Sequence, residues 1–198
     1  MLILASTSPR REEILNFFSI PYKLASPSFD ENSIPFDGDP KKYVIELSKG
    51  KAQSLKEQYP DNIILGADTI VYFDQKILGK PLDHDDAFEI LKKLQGKSHK
   101  VFTGITLISG DQIVSDYDET EILFKDCTDA EIEKYIQAIS CLDKAGAYAI
   151  QMAGNIMVEK LDGCFYNTVG LPINALERAL KIFGINLWDY LKKDASLV

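Results

Sequence analysis

Two arginines stand where a helix disfavours positive charge. In the segment LILASTSPRREEIL, Ser8 and Pro9 have the residue types of an N-cap and a first helical position, so a helix is predicted to begin there. Arg10 and Arg11 then fall in the first turn, where the helix dipole makes a cation unfavourable by about 0.3–1 kcal/mol. A bound anion would offset that cost. The alternative is two solvated arginines and an ordinary serine cap.

The loop before this helix has the composition of a phosphate cradle. Leu2–Ala5 predict a short buried strand. A strand that runs through a serine-rich loop into a helix presents unpaired backbone N–H groups. Ser6 and Ser8 add hydroxyl groups at the same end of the sheet. We therefore expect Ser6, Ser8 and Arg11 to bind phosphate.

A lysine falls in the apolar stripe of a second predicted helix. Val44, Leu47 and Leu55 define that stripe, and at 100° per residue Lys51 lies at its centre. Such a lysine either extends its ammonium group to solvent or meets an anion. Lys80, in the segment LGKP, is a weaker candidate, because a lysine before proline in an extended turn is solvated by default.

An aspartate interrupts an apolar segment. Asp68 lies between Ile63–Leu65 and Ile70–Val71, where an unpaired carboxylate is expensive to bury. Gly66-Ala67 ahead of it would let a ligand approach the backbone. Asp68 is therefore a candidate site residue, and the alternative is a turn aspartate between two strands.

The sequence argues against several common site types. The segment Gly96-Lys97-Ser98 lacks the first glycine of a P-loop and follows a helix instead of a strand, and there is no G-x-G-x-x-G motif. His84 and His99 are the only histidines, and neither is set in a ligand or triad pattern. Any metal ion would be a hard divalent cation on carboxylates and phosphate.

The acidic composition limits the partners of this chain. Its 198 residues include 22 Lys and Arg and 30 Asp and Glu, for a net charge of −8, so neither nucleic acid nor an anionic membrane is an expected partner. A polyanionic ligand must instead be held by a local cationic cluster. Three cysteines without a C-x-x-C pair fit a reducing compartment. With no export signal and no apolar run near ~20 residues, we expect a cytoplasmic protein.

The periodicity alternates strands and helices. It predicts the α/β class, with a mixed twisted sheet and flanking helices in one domain of residues 1–198. The predicted helices run from Pro9 to about Phe18, from Pro40 to about Gln58, from Asp83 to Leu94, from a capping box at Thr128 and Glu131, and from Pro172 to about Phe183. The predicted strands are Pro21–Ser26, Asn62–Phe73, Lys100–Ile108, Ile113–Phe124 and Ile156–Leu161.

Seven motifs occur in the order and spacing of the Maf family, which the chain resembles from Leu2 to about Leu180. They are STSPRR, KGKA, GADT, GKP, GKSHKVFTG, DKAGAYAIQ and YNTVGLP. That family is similar in fold to the inosine triphosphatase group, so the resemblance implies an inosine-triphosphatase-like fold with a cleft between two lobes. It also suggests a homodimer.

The resemblance implies a nucleoside triphosphate pyrophosphatase, in which water attacks the α-phosphorus and releases the monophosphate and pyrophosphate. Asp68 stands at the position of the proposed general base. The positions that line the family's phosphate and metal cleft are Ser6, Arg11, Glu31, Lys51, Lys80 and Gln151. A triphosphate requires its charge to be neutralised by Arg, Lys and a divalent metal such as Mg²⁺ or Mn²⁺. Glu31 and Asp68 are the expected metal ligands.

The segment DKAGAYAIQ resembles the corresponding segment in the branch of the family that hydrolyses dTTP and UTP. The resemblance therefore implies dTTP, UTP and modified pyrimidine triphosphates as substrates. The resemblance assigns substrate specificity to Arg10, Thr69 and Gln151. Gly50 departs from the family, which usually has Glu there. Two alternatives stay open: a nucleotide-binding regulator of septum formation without turnover, and a pyrophosphatase for a modified purine triphosphate such as 7-methyl-GTP.

Overall fold

A mixed β-sheet organises the molecule. In the computed structural model, which describes residues 1–192, seven strands pair in the order β2-β1-β3-β5-β6-β7, with β4 beside the far end of β3. The strands are β1 (Leu2–Ala5), β2 (Tyr22–Ala25), β3 (Ile63–Phe73), β4 (Lys76–Leu78), β5 (Ser98–Ser109), β6 (Gln112–Phe124) and β7 (Val158–Asp162). The α-helices are α1 (Pro9–Leu15), α2 (Pro40–Gln53), α3 (His84–Leu94), α4 (Asp129–Ala138), α5 (Phe165–Val169) and α6 (Ile173–Ile182). The predicted α/β class with a mixed sheet and flanking helices is confirmed.

Strand β1 is short, and this leaves part of β3 open. β1 pairs in parallel with β3 only as far as Ala5, opposite Gly66, whereas β4 joins the same edge of β3 from Val71. Between these two partners, residues 67–70 have only β5 as a neighbouring strand. Asp68 and Thr69 therefore lie on an open edge at the carboxyl end of a parallel strand, which is where α/β sheets bind ligands.

Helix α2 packs directly on the backbone of β3 and β5. A Cβ atom at Gly66 would lie 2.1 Å from the carbonyl oxygen of Ser48, and one at Gly104 would lie 2.4 Å from that of Val44. Both glycines are therefore needed for the close approach of this helix. The prediction that Gly66 admits a ligand is wrong, because the backbone of α2 occupies that space.

The main hydrophobic core lies on the opposite face of the sheet. Alternate residues of β3 and β5 point into it, and helices α3, α4 and α6 cover it with their apolar stripes. The four predicted stripe residues of α3 are all buried: Ala87, Ile90, Leu91 and Leu94. The predicted capping box at Thr128 and Glu131 opens α4, with both reciprocal bonds present.

Several predicted boundaries were wrong. Helix α1 ends at Leu15 instead of Phe18, and α2 ends at Gln53 instead of Gln58. Strand β7 begins at Val158, because the preceding residues Met152–Met157 form a 3₁₀ helix. In residues 1–192 no helix is long and apolar enough to span a bilayer.

Candidate active site

A cleft of about 650 Å³ lies over the open edge of β3. Its wall residues come from the β1–α1 loop, the segment before α2, α2 itself, β3, the segment after β4 and the segment before β7. All the site residues predicted from the sequence line it: Ser6, Ser8, Arg10, Arg11, Glu31, Lys51, Asp68, Thr69, Lys80 and Gln151. Residues up to 145 positions apart in the chain thus meet in one cavity.

Lys51 meets two carboxylates at the base of the cleft. Its Nζ atom lies 2.5 Å from Oδ1 of Asp68 and 2.8 Å from Oε1 of Glu31. Lys51 and Asp68 are both buried, at 8% and 6% exposure. Of the two outcomes expected for a lysine in an apolar stripe, the structure therefore has the anion-bound one. The position follows from α2, which lies on Gly66 and turns Lys51 toward the sheet.

Burial raises the pKa of Asp68 above the ordinary aspartate value. The positive charges of Lys51 and then Arg11 act in the opposite direction, and the nearby Glu31 carboxylate adds to the increase. A carboxylate with raised proton affinity, at the floor of a cleft, is suited to accept a proton from a bound water.

Arg11 turns inward from the first turn of α1. Its Nε donates a hydrogen bond to the carbonyl oxygen of Gly170 at 2.8 Å, and its two terminal nitrogens donate to Oγ of Ser6 at 3.3 Å and Oγ1 of Thr69 at 3.2 Å. These contacts fix the guanidinium group against Thr69, the residue next to Asp68 in β3, so Arg11 is not the solvated arginine of the alternative interpretation. Gly170, with φ of 114° at the end of α5, was not singled out from the sequence.

Arg10 has a different environment. Its Nη1 atom is 3.4 Å from Oδ2 of Asp143 at the rim of the cleft, where both side chains are partly exposed. Exposed ion pairs of this kind contribute about 0–1 kcal/mol. The neighbouring Lys144 bonds the same carboxylate at 2.6 Å. Asp143 could not be predicted from the sequence as the partner of Arg10, because the two residues are 133 positions apart.

Ser8 is at the N-cap position of α1, but its side chain caps nothing. Its backbone N–H instead donates to Oγ of Ser6 at 3.1 Å. The interpretation of Ser8 as an ordinary hydroxyl cap is wrong, since no side-chain cap bond is formed. Ser6 and Ser8 both line the cleft, beside the N-terminus of α1, which is the positive end of the helix dipole.

The far wall carries Lys80, Tyr148 and Gln151. The backbone N–H of Gly146 donates a hydrogen bond to the carbonyl oxygen of Gly79 at 3.0 Å. This bond connects the segment that carries Lys80 to the segment that carries Tyr148 and Gln151. Beneath this wall the Tyr148 hydroxyl lies 2.8 Å from Nε2 of His99. Burial lowers the pKa of His99 to about 4, so this imidazole is neutral at pH 7.

The carboxylates present fit a magnesium-type ion. Within residues 1–192 no group of three or more His, Cys, Asp or Glu side chains is arranged around one point. Mg²⁺ in phosphate-handling sites takes one or two carboxylates and completes its shell with substrate phosphates and water. Glu31 and Asp68, which bond the same ammonium group, could supply two such ligands.

Comparison with known proteins gives consistent matches. A family model described as "Maf-like protein" matches residues 1–183. The chain is 42% identical over 191 residues to the dTTP/UTP pyrophosphatase of Chlamydia felis, covering 96% of this chain and 97% of that one. It is also 42% identical over 191 residues to the dTTP/UTP pyrophosphatase of Clostridium botulinum (strain Okra), covering 94% and 98%.

Two solved structures are similar at lower identity. The Ham1 protein of Staphylococcus aureus has a TM-score of 0.44 and 12% identity over 63% of this chain and 72% of that one. A nucleoside-triphosphatase/dITP/XTP pyrophosphatase of Mycobacterium abscessus has a TM-score of 0.41 and 13% identity over 62% and 72%.

Proposed function

Because this chain belongs to the Maf family, we propose that it is a nucleoside triphosphate pyrophosphatase that hydrolyses dTTP and UTP to the monophosphate and pyrophosphate. Relatives 42% identical over nearly the full length carry that name. The observation that carries the proposal is the buried carboxylate of Asp68 at the floor of a cleft, with cationic side chains from separate parts of the chain around it. A protein that only binds nucleotide needs the cations but has no need of the buried acid.

The cations neutralise the triphosphate. Arg11 reaches the cleft floor from α1 and Lys51 reaches it from α2, while Lys80 lines the far wall in the segment after β4. Ser6 and Ser8 add hydroxyl groups at the N-terminus of α1, where an anion is favoured. Phosphoryl transfer gains most from such fixed positive groups, because charge accumulates on the phosphate oxygens in the transition state.

Asp68 acts as the general base. It accepts a proton from the water that attacks the α-phosphorus, while the bond from that phosphorus to the α–β bridging oxygen breaks and pyrophosphate leaves. The ammonium group of Lys51 contacts Asp68 at 2.5 Å. On substrate binding we expect the same ammonium group to contact the phosphate as well.

Glu31 and Asp68 would hold the divalent metal ion, Mg²⁺ or Mn²⁺, which supplies further neutralisation of the phosphate charge. Lys51 lies within bonding distance of both carboxylates, so it balances their charge and keeps them side by side. Arg11 approaches the same place from the opposite side of β3, because Thr69 points to the opposite face of the strand from Asp68.

Arg10, Thr69 and Gln151 form the proposed specificity set. The amide group of Gln151 offers a donor and an acceptor, as the edge of uracil or thymine requires. Arg10 is at the rim and Thr69 is on the floor, where its hydroxyl also bonds Thr103 at 3.0 Å. Modified pyrimidine triphosphates belong to the same proposed class. The homodimer and the cytoplasmic location stay predictions.

A substrate panel tests this function. Incubation with dTTP, UTP, CTP, dATP and 7-methyl-GTP in Mg²⁺ should give the fastest release of monophosphate and pyrophosphate from dTTP and UTP. Asp68→Asn should lower kcat by about 10²–10⁴-fold, because it removes the base. Asp111→Asn, at an exposed hairpin turn, is the matched control and should retain the wild-type rate.

Release of orthophosphate alone would contradict the proposal, and so would an Asp68→Asn variant with the full rate. Tight triphosphate binding without hydrolysis over hours would favour the nucleotide-binding regulator. Preference for 7-methyl-GTP would favour the purine alternative.

A further inference from the structure

The segment that carries Glu31 has little core of its own. Residues 26–38, between β2 and α2, are mostly exposed, and we call them the acidic loop. Glu31 opens a 3₁₀ helix (Glu31–Ser33) whose N-cap Asp30 accepts a hydrogen bond from the backbone N–H of Asn32 at 3.0 Å. That turn fixes local geometry only, so the position of Glu31 against Lys51 depends on where the loop is anchored to the rest of the molecule.

Two aromatic rings anchor the acidic loop, one on each side of Glu31. Phe36 packs edge-to-face on Tyr43 and Tyr72, with ring centroids 5.4 and 6.1 Å apart. On the other side of Glu31, the ring of Phe29 lies on α2. A Cβ atom at Gly50 would be 2.3 Å from Cζ of Phe29 and 2.4 Å from Cε2. The ring thus fills the space that any side chain at position 50 would occupy.

The glycine at position 50 is otherwise unexpected. It lies inside α2, where glycine is less favourable than alanine because it loses more backbone freedom. Its φ is in the ordinary helical range, so no backbone strain calls for it. With the ring of Phe29 in its present position, only glycine fits at position 50.

The Phe29–Gly50 contact and the Glu31–Lys51 ion pair connect the same two segments, the acidic loop and α2. Phe29 is two residues from Glu31 in the acidic loop, and Gly50 is one residue from Lys51 in α2. The Phe29–Gly50 contact and the Glu31–Lys51 bond of 2.8 Å therefore form adjacent links between loop and helix. Movement of the ring away from the helix would carry Glu31 away from Lys51 and Asp68.

We propose that Phe29 is a positioning residue, and that Gly50 admits its ring so that the Glu31 carboxylate is held beside Asp68. This inference rests on the proposed function, because the purpose of that placement is to bind a divalent metal with the triphosphate. Phe29 touches neither the metal nor the reacting phosphorus in this account. It sets the affinity of the cleft for the metal–nucleotide complex through Glu31.

Mn²⁺ binding, followed by electron paramagnetic resonance in the presence of the non-hydrolysable α,β-imido-UTP, tests the inference. Gly50→Ala and Phe29→Ala should each weaken Mn²⁺ binding about tenfold, in the range typical for loss of a group that orients a ligand. The Mg²⁺ concentration for half-maximal hydrolysis of UTP should rise by the same factor, while kcat at saturating Mg²⁺ stays within about twofold. Gln53→Ala, at an exposed position of the same helix, is the control and should bind as the wild type does.

The double variant Gly50→Ala/Phe29→Ala distinguishes a shared contact from two separate effects. Its loss should equal that of Phe29→Ala alone, because both changes remove one contact. The melting temperature of Gly50→Ala should not fall, since alanine favours the helix, so weaker binding cannot come from unfolding. If Gly50→Ala does not fold, Phe29→Ala carries the same comparison.

Unchanged Mn²⁺ binding in Phe29→Ala, or losses that multiply in the double variant, would overturn this inference while leaving UTP hydrolysis by the wild type intact. Absence of UTP hydrolysis by the wild type, with Mn²⁺ binding still weakened in both variants, would overturn the proposed function alone. A wild-type chain that binds no Mn²⁺ with the analogue would overturn both.

Discussion

At the scale of single residues, the site depends on charges that are costly to bury. Lys51 and Asp68 are nearly inaccessible to water, and removing two charges from water costs several kcal/mol per ion before their attraction offsets it. A core of the same size could be built from apolar residues at less cost. Such a cost is characteristic of active sites, where groups are arranged for chemistry instead of stability.

The pKa of Asp68 gives the first prediction at this scale. Since the base must be ionised, kcat/KM should fall as the pH decreases through that pKa, which burial raises above the ordinary aspartate range. Lys51 is the largest opposing charge, so Lys51→Met should raise the pKa further and move the acid limb of the pH–rate profile to higher pH. Lys80→Met is the matched control, because Lys80 is not among the charges that shift this pKa.

Both lysine variants should lose about 10²-fold in kcat/KM, as expected when one transition-state cation is removed. Only Lys51→Met should change the position of the acid limb. An acid limb at the same pH in both variants would argue against Asp68 as the titrating base.

Because His99 is buried, we expect the free energy of unfolding to depend on pH. Its pKa is lowered to about 4 by burial, from about 6.5 in an unfolded chain. The unfolded state therefore binds the proton more tightly, and stability present above pH 6.5 is lost as the pH falls toward 4. At pH 5 this loss is about 2 kcal/mol relative to pH 7. Urea denaturation measures the free energy of unfolding at both pH values. Its difference between pH 7 and pH 5 should be smaller for His99→Gln than for the wild type by about 2 kcal/mol.

His84→Gln, at the exposed start of α3, is the control for this measurement. It should keep the full pH dependence of the wild type. Equal pH dependence in His99→Gln and the wild type would mean that His99 is not held neutral by its surroundings.

At the scale of elements, helix α2 positions Lys51 at the open edge of the sheet. It rests on Gly66 and Gly104 with backbone contacts that no other residue type allows. Lys51 reaches Asp68 because this helix lies so close to β3. The two glycines therefore determine how close Lys51 lies to Asp68.

Gly66→Ala should separate α2 from the sheet. The added methyl group would lie 2.1 Å from the Ser48 carbonyl oxygen, and overpacking of this kind costs about 1–3 kcal/mol. We expect a lower midpoint of urea denaturation together with a loss of kcat, since Lys51 moves away from Asp68. Gly79→Ala, which has open space around it, should change stability by less than about 0.5 kcal/mol. A Gly66→Ala variant as stable and active as the wild type would contradict this account of α2.

The elements that the sequence predicted are those with a strong period or a defined cap. The stripe of α3 and the capping box of α4 are examples. Strand β4 was missed because the turn before it uses Asp74 and Gln75 in left-handed conformations, with φ of 49° and 60°, instead of the glycine or asparagine typical of such turns.

At the scale of the whole molecule, a chain of net charge −8 brings the four cations predicted as site residues into one cleft. The sequence could predict which charges were out of place, because local patterns assign each residue to a stripe, a first turn or a strand. It could not predict their partners. The contacts of Arg11 with Gly170, Arg10 with Asp143 and Phe29 with Gly50 join distant segments, so only the folded chain reveals them.

The central claim is that water attacks the α-phosphorus and breaks its bond to the α–β bridging oxygen. Hydrolysis of UTP in ¹⁸O-labelled water tests this claim most directly. Attack on the α-phosphorus, with Asp68 as the base, predicts one labelled oxygen in UMP and none in pyrophosphate, as measured by mass spectrometry. Label in pyrophosphate or in released orthophosphate would contradict the account, because the water would then have attacked a different phosphorus.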